Sequence, residues 1–329
     1  SGRKAGMSDF IKNIDERTRL AGTNKLEILL FSLGVDQRTG RCETFGINVF
    51  KVREVMRTPP ITASPDMPLA VKGMVSLRGA LVPVIDLAEY IGIQHETPRK
   101  IMIVAEYNGR TQGFLVESVD IIMRLDWSQM RVPPDMLSSN LGGRVTAVSE
   151  LADGRLVMML DVERVLAETI KPAGSLGYKD IKPVSNTPAD LTVLYADDSS
   201  VARAQIQHTL DSLGIKYTSA MNGREAWDAL QNIASNAEKS GHKVCDVLHA
   251  ILTDVEMPEM DGYILTKHIK SDQRFANIPV IMHSSLTGTS NNQLGRSVGV
   301  DEYVSKFEPQ HLAEALNRIA LRRSKEVAA

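Results

Sequence analysis

Residues 191–320 alternate short apolar runs with amphipathic helical patterns. The first run, at 191–196, reads LTVLYA and is typical of a buried strand, and Ala202, Ile206 and Leu210 then fall on one helical face. Further runs of strand type lie at 216–221, 247–253, 280–283 and 302–305. Strands that alternate with helices indicate parallel pairing through helical crossovers. The sequence therefore predicts an α/β doubly wound, five-stranded parallel sheet for this part of the chain.

The preceding part of the chain lacks this alternation and carries short β-rich runs separated by glycine-containing turns. These runs lie at 26–33, 47–55, 81–85, 101–105, 114–122 and 156–160. Two stretches repeat in the same order, because 46–55 is echoed at 113–122 and 75–87 is echoed at 148–162. We expect an all-β region built as two similar small β units in tandem. The alternative is that any two hairpins share such patterns.

A stretch rich in proline and glycine separates the two regions. Residues 171–190 hold Pro172, Pro183 and Pro188 without apolar periodicity, which is typical of a linker between domains. We therefore expect an N-terminal tail at 1–23, whose residues 1–6 are typical of an expression scar, a β domain at 24–170, a linker at 171–190 and an α/β domain at 191–329.

Composition excludes several classes of protein. The 329 residues include 38 Lys plus Arg and 40 Asp plus Glu, a net charge of −2 that disfavours binding to nucleic acid. No apolar run approaches the roughly 20 residues of a membrane-spanning helix, and no export signal opens the chain. The two cysteines, Cys42 and Cys245, do not indicate a disulfide framework. We expect a soluble protein of the cytoplasm.

Reactive side chains follow the strands of the predicted parallel sheet, at the edge where such sheets bind ligands. They are Asp197, Asp198, Asp254, Ser284 and Lys306. Three carboxylates in one pocket repel one another, and Mg²⁺ would relieve that repulsion. Taken singly, Asp198 could be a helix N-cap and Lys306 a surface lysine. The combination predicts a site for Mg²⁺ and a phosphoryl group.

The α/β region resembles the receiver domains of two-component response regulators, and residues 252–262, LTDVEMPEMDG, resemble their phospho-acceptor loop. The resemblance implies that Asp254 accepts a phosphoryl group as an acyl phosphate. It also implies that Mg²⁺ is bound directly by Asp198, Asp254 and the backbone carbonyl of Glu256, and through water by Asp197.

The same resemblance gives roles to residues after the last two strands. It implies that Lys306 and Ser284 contact the phosphoryl oxygens, and that Tyr303 and Ser284 are switch residues that respond to phosphorylation. One departure is that Phe307 follows the lysine where the family usually has proline, so the geometry of that turn stays open.

The β region resembles the CheW-like coupling domain over roughly residues 24–169. The resemblance rests on residues 75–87, VSLRGALVPVIDL, and on 49–55, VFKVREV. It implies tandem small five-stranded barrels that bind the cytoplasmic tips of chemoreceptors and the regulatory domain of the histidine kinase CheA. It also implies partner contacts at positions of three residues, Arg78, Val52 and Glu54. Alternatively, Arg78 satisfies turn carbonyls and Val52 belongs to the core.

A coupling domain followed by a receiver domain resembles the CheV family of chemotaxis adaptors. This order implies a cytoplasmic adaptor in chemoreceptor arrays, regulated by phosphorylation of Asp254 or acting through it as a phosphate sink. The sequence contains no kinase ATP-binding motif, so the kinase CheA would supply the phosphoryl group and the protein would catalyse only its own phosphorylation and dephosphorylation. The alternatives are a Mg²⁺-dependent phosphohydrolase with an aspartyl-phosphate intermediate and a DNA-binding response regulator.

Overall fold

A computed structural model describes residues 24–63, 67–68, 70–95, 99–107, 110–134, 143–169, 191–285, 296–306 and 308–327. The expected tail at 1–23, the expected linker at 171–190 and Phe307 lie outside these residues. Within them, no helix is both long and apolar enough to cross a membrane.

Residues 24–169, here called the β domain, form two five-stranded sheets with the strand orders β8-β1-β2-β10-β9 and β3-β6-β7-β5-β4. The strands are β1 Lys25–Ser32, β2 Thr44–Asn48, β3 Val52–Arg57, β4 Val71–Leu77, β5 Ala80–Asp86, β6 Ile101–Tyr107, β7 Arg110–Val116, β8 Ser118–Asp126, β9 Val145–Glu150 and β10 Leu156–Leu160. Helix α1, Leu87–Ile91, follows β5 and helix α2, Val162–Thr169, follows β10. The predicted all-β fold with two five-stranded units is confirmed.

The two sheets exchange strands between the sequence repeats. The first repeat supplies β1 and β2 to one sheet and β3 to β5 to the other, and the second repeat reverses this with β6 and β7, then β8 to β10. Two predicted runs are therefore each broken into two strands. The run at 47–55 is interrupted by a 3-10 turn at Val49–Lys51, and the run at 114–122 by Glu117. Both breaks lie at the point where the chain passes from one sheet to the other.

One core joins the two sheets. Phe31 and Phe45 of the first sheet stack with ring centroids 6.0 Å apart, and they belong to the same buried cluster as Ile85, Ile103 and Phe114 of the second sheet. Because apolar residues of both sheets enter this cluster, neither sheet leaves its buried face to water. The β domain is thus one folding unit.

Residues 191–327, here called the α/β domain, form a five-stranded parallel sheet of order β12-β11-β13-β14-β15. Its elements are β11 Thr192–Ala196, α3 Ser200–Ser212, β12 Lys216–Ala220, α4 Gly223–Lys239, α5 Val244–Val247, β13 Ala250–Thr253, α6 Gly262–Ser271, β14 Val280–Ser284, β15 Glu302–Ser305 and α7 Pro309–Val327. Helices α4 and α6 bury apolar residues on one face of the sheet, and α3 and α7 on the other. The predicted doubly wound fold is confirmed.

The structure corrects one strand boundary. The apolar run at 247–253 predicts a strand throughout, but Val247 ends helix α5 and only Ala250–Thr253 is extended. The carboxylate of Asp246 accepts a hydrogen bond from the backbone N–H of Lys243, which stabilises the first turn of this short helix. A run of apolar residues does not by itself separate a strand from a buried helical turn.

Candidate functional site

Three carboxylates lie together at the carboxyl edge of the parallel sheet. Asp197 and Asp198 follow β11 and Asp254 follows β13, and one oxygen of each lies within 4.8 Å of the others. Backbone amides fix two of them, because Ser199 N–H donates to Asp197 Oδ1 at 2.9 Å and Val255 N–H donates to Asp254 Oδ1 at 2.7 Å. The cluster is thus held by the loops that leave adjacent parallel strands.

The ammonium group of Lys306 lies between two of these carboxylates. Lys306 follows β15 and its Nζ is 2.9 Å from Asp254 Oδ2 and 2.9 Å from Asp197 Oδ2. Its backbone N–H donates to the carbonyl of Ser284, the last residue of β14, at 3.0 Å. The structure therefore brings Lys306 and Ser284 to the same edge as the carboxylates.

Burial and repulsion dominate the electrostatics of the cluster. Burial raises the pKa of Asp254 well above its usual range, the charges of Asp197 and Asp198 raise it further, and Lys306 opposes both. Burial, followed by the charge of Asp197, raises the pKa of Asp198 to about 8. The same carboxylates hold the pKa of the Lys306 ammonium well above its usual range although burial opposes them. Lys306 therefore stays charged, but its single positive charge does not balance the negative charges of the three carboxylates.

The donor chemistry of the cluster fits a hard divalent cation. All three candidate ligands are carboxylate oxygens, which Mg²⁺ prefers over nitrogen or sulfur. Asp197 Oδ2 is buried and, beyond its ion pair with Lys306, accepts no hydrogen bond from any residue that the structure describes. A cation at this place would satisfy that oxygen and reduce the repulsion among the three groups.

The loop from Asp254 to α6 needs a glycine at its end. Asp261 caps α6 by accepting from the backbone N–H of Ile264 at 2.7 Å, and Gly262 N–H donates to the carbonyl of Val255 at 2.9 Å. A Cβ on Gly262 would lie 1.8 Å from the backbone oxygen of Asp254. Only a residue without a side chain allows this close approach.

The variant Gly262→Ala is expected to destabilise the α/β domain by about 3 kcal/mol or more, because the Asp254 backbone must move to admit the methyl group. Urea unfolding followed by circular dichroism measures the change. Gly214→Ala is the matched control: Gly214 has a φ of +67° but open space around its Cβ position, so it reports backbone strain alone. Equal losses in the two variants would contradict the steric account.

Tyr303 is half-buried on β15 and pairs with a second tyrosine. Its hydroxyl oxygen lies 2.8 Å from that of Tyr263, a buried residue of α6. Burial raises the pKa of both hydroxyls, to about 12 for Tyr263. The pair links the strand that carries Lys306 to the helix that follows the Asp254 loop.

The β domain adds charged groups to this site that the sequence analysis did not identify. Both Oε atoms of Glu163, in α2, lie 3.3 Å from Lys306 Nζ. Lys51 Nζ lies 2.9 Å from a carboxylate oxygen of Glu256 and 3.7 Å from one of Glu163, and Asn48 donates to the other oxygen of Glu256. The order of strands in a sheet relates only residues of that sheet, so it does not indicate groups that come from another domain.

The three candidate partner-binding residues differ in their exposure to solvent. Arg78, in the turn between β4 and β5, has 69% of its side chain exposed and donates to Glu54 Oε2 at 3.1 Å. It does so from a backbone φ of +52°, an uncommon conformation for arginine. Val52 is only 3% exposed and packs in the core. Arg78 and Glu54 can therefore contact a partner protein at the surface, whereas the buried Val52 side chain cannot.

Comparisons with known proteins match both domains. Residues 27–169 match the CheW-like domain family and residues 193–317 match the response regulator receiver domain family. The chain is 31% identical over 280 residues to chemotaxis protein CheV3 of Helicobacter pylori, which covers 84% of this chain and 88% of that protein. It is 26% identical over 329 residues to CheV1 of the same organism, covering 95% of this chain and 98% of that protein.

Among solved structures, scaffolding protein TtCheW from Thermoanaerobacter tengcongensis is 27% identical over 41% of this chain and 88% of that chain, with a TM-score of 0.37. The order and span of the two matched domains, together with the identity to CheV3, establish the family. The chain belongs to the CheV family of chemotaxis proteins, with a CheW-like domain followed by a receiver domain.

Proposed function

We propose that the chain is an adaptor between chemoreceptor tips and the histidine kinase CheA, and that Mg²⁺-dependent phosphorylation of Asp254 regulates it. The observation that carries the proposal is the cluster of buried Asp197, Asp254 and Lys306 with half-buried Asp198 at the carboxyl edge of the receiver sheet. No such convergence is needed for the stability of a parallel sheet, and repulsion within it is unfavourable. Its presence favours phosphoryl chemistry.

Phosphoryl transfer to the chain needs a carboxylate nucleophile with one free oxygen lone pair. An Asp254 oxygen attacks the phosphorus of a phosphohistidine, the new O–P bond forms, and the P–N bond breaks with its electron pair returning to the imidazole nitrogen. Lys306 Nζ, 2.9 Å from Asp254 Oδ2, would hold one phosphoryl oxygen, and the hydroxyl of Ser284, the last residue of β14, would hold another. The chain needs no ATP site of its own.

The metal would be held by the carboxylates of Asp198 and Asp254 and the backbone carbonyl of Glu256, with Asp197 acting through water. Bound there, Mg²⁺ supplies positive charge that offsets the negative charge of the carboxylates and of the incoming phosphoryl group. Ser284 and the Tyr303–Tyr263 pair would respond to the new charge, because they join the strands and helix around the acceptor.

The coupling function is assigned to the exposed surface around Arg78 and Glu54. Arginine combines charge with a broad planar surface and is common at the centre of protein interfaces. Since Val52 is buried, it supports this surface from the core. Arrays of receptors and kinase in the cytoplasm are the setting in which both domains would act.

The test compares wild type with Asp254→Ala in binding to receptor tips and to kinase, with and without Mg²⁺ and a small phosphodonor. We expect only wild type to take up phosphate and to change its affinity, because only it retains the acceptor carboxylate. Asp228→Ala, at an exposed position on α4, is the control and should behave as wild type.

Three other outcomes would contradict parts of the proposal. Identical binding by both proteins, with phosphate uptake by wild type alone, would make the receiver a phosphate sink. Absence of binding would contradict the adaptor role. Turnover of a generic phosphate ester would instead support the phosphohydrolase alternative.

A further inference from the structure

The β domain, which is the coupling domain, covers the proposed phosphorylation site of the α/β domain, which is the receiver. Asp197, Asp254 and Lys306 are 0%, 3% and 2% exposed. The contacts between domains surround them: Asn48 and Lys51 with Glu256, Glu163 with Lys306, Ser199 with Asp161, Arg164 with Ser200, Trp127 with Glu259 and Asn24 with Asp261. A donor imidazole cannot reach Asp254 while these contacts persist.

Glu163 contacts the ammonium group of Lys306, which is the proposed partner of the phosphoryl group. Its two oxygens are each 3.3 Å from Lys306 Nζ, so this carboxylate presents a pair of anionic oxygens to the same ammonium group. Burial works to raise the pKa of Glu163, but Lys306 and Lys51 hold it down, at about 2. Glu163 is therefore an anion at neutral pH, as a phosphoryl group would be.

The internal repeat shows that the coupling fold does not require these polar groups. At the equivalent positions of the other repeat, Glu163 is replaced by Ala88, Lys51 by Ser118 and Asn48 by Leu115. Asn48 and Lys51 belong to the first repeat and Glu163 to the second, but strand exchange places all three beside one sheet, at the ends of the paired strands β2 and β10, where they face the receiver domain. Their burial is unfavourable unless the receiver supplies partners, so docking of the two domains explains their presence.

Phosphorylation changes the balance of charge at this interface. Converting the Asp254 carboxylate to an acyl phosphate replaces one negative charge by about two and adds oxygens that need Lys306. Glu163 then faces a like charge in a buried place and loses its partner. Docking and phosphorylation compete for one ammonium group, and each weakens the other.

We infer that Glu163 is an intramolecular substitute for the phosphoryl group, which holds Lys306 and keeps the coupling domain docked over the receiver site until phosphorylation displaces it. The inference rests on the proposed role of Asp254 as acceptor. It specifies the structural consequence of phosphorylation: release of the coupling-domain surface formed by Asn48, Lys51 and Glu163 from the receiver.

The first test measures the rate at which Asp254 takes up phosphate from acetyl phosphate with Mg²⁺, by intact-protein mass. We expect Glu163→Ala and Lys51→Ser, which introduce the residues of the other repeat, to raise the rate about tenfold, equivalent to a docking bias of about 1.4 kcal/mol. Glu150→Ala, at an exposed position on β9, is the matched control and should leave the rate unchanged. Unchanged rates in both interface variants, with normal uptake by wild type, would overturn the inference and leave the proposed function intact.

The second test measures docking without phosphoryl transfer. The two cysteines of the chain are both exposed, with Cys42 in the coupling domain and Cys245 in the receiver, so spin labels on them report the distance between domains. We expect a narrow distance distribution in wild type, which broadens in Glu163→Ala and, in wild type, on addition of Mg²⁺ with beryllium fluoride as the phosphoryl substitute.

The two tests separate the possible failures. A distribution that is the same in wild type, Glu163→Ala and the beryllofluoride sample would overturn the docking inference. If the distance distribution broadens in Glu163→Ala but wild type takes up no phosphate, the domains do dock through Glu163. Asp254 is then not a phosphoryl acceptor, and the proposed competition between docking and phosphorylation is contradicted.

Discussion

Replacing Asp198 with Asn is expected to stabilise the folded receiver domain by about 3 kcal/mol near pH 8 in the absence of Mg²⁺, and to have little effect near pH 4. Burial, followed by the charge of Asp197, raises the pKa of Asp198 from 3.8 to about 8. A shift of this size corresponds to a ceiling of about 6 kcal/mol. The side chain is only half-buried, so contact with water reduces the effect.

The direction of the pH dependence follows from proton binding. Because the pKa of Asp198 is higher in the folded chain than in the unfolded chain, the folded state holds its proton over a wider pH range. The stability present below about pH 4 is therefore lost as the pH rises towards about 8. Asn resembles the protonated acid, so the advantage of the variant grows across that same range.

Tryptophan fluorescence isolates the receiver transition in this experiment. The chain has two tryptophans, Trp127 in the coupling domain and Trp227 in the receiver, where the latter packs against His268 and Phe275. In a Trp127→Phe background, urea unfolding in EDTA at several pH values gives the free energy of unfolding. Asp228→Asn, exposed on α4, is the control. A constant difference from pH 4 to 8 would contradict the burial of negative charge.

Sequence patterns predict which side chains meet at the edge of the receiver sheet, because this proximity follows from topology. Parallel strands end at one edge, so Asp197, Asp254 and Lys306 are expected at the same edge once β11, β13 and β15 are recognised as members of one parallel sheet. The order of the strands follows from helical crossovers between parallel partners. Residues separated by 109 positions, as Asp197 and Lys306 are, thus come together without any need to predict side-chain packing.

The interface could not be predicted in this way. Glu163 reaches Lys306 across 143 positions and from another domain, and no rule of strand order relates the two. The signal present in the sequence was the difference between repeats, Glu163 against Ala88 and Lys51 against Ser118. A charged residue in one repeat where the other has a small one marks a surface that the repeats do not share, but it does not identify the partner, and Lys51 and Glu163 come from different repeats that meet only through strand exchange.

The sequence pattern also does not predict the breaks within the β runs, and the reason is local. Residues 47–55 contain apolar positions throughout, yet Asn48 caps a 3-10 turn by accepting from the backbone N–H of Phe50 at 3.0 Å. Asparagine favours such local hydrogen bonds over continued extension. The turn directs the chain from one sheet to the other and also places Lys51 at the receiver.

Replacing Lys306 with Met is expected to destabilise the receiver domain by about 4 kcal/mol near neutral pH in EDTA. The ammonium group is buried and contacts Asp197, Asp254 and Glu163. Without it, these carboxylates remain buried. Among the residues that the structure describes, Lys51 pairs with Glu163 and Glu256, and Arg203 donates to the backbone carbonyls of Asp197 and Asp198 rather than to the carboxylates. The same Trp227 fluorescence measures the loss, and Lys267→Met, at an exposed position on α6, should change stability by less than about 0.5 kcal/mol.

Two additions to the Lys306→Met variant distinguish lost charge from lost packing. Mg²⁺ should restore more stability to this variant than to wild type, because a cation among the carboxylates replaces the missing ammonium charge. Asp198→Asn should likewise stabilise the variant more than it stabilises wild type, since removing one negative charge matters most where no lysine balances it. If both additions stabilise the two proteins equally, Lys306 acts through packing of its aliphatic chain, and electrostatic control of the site is contradicted.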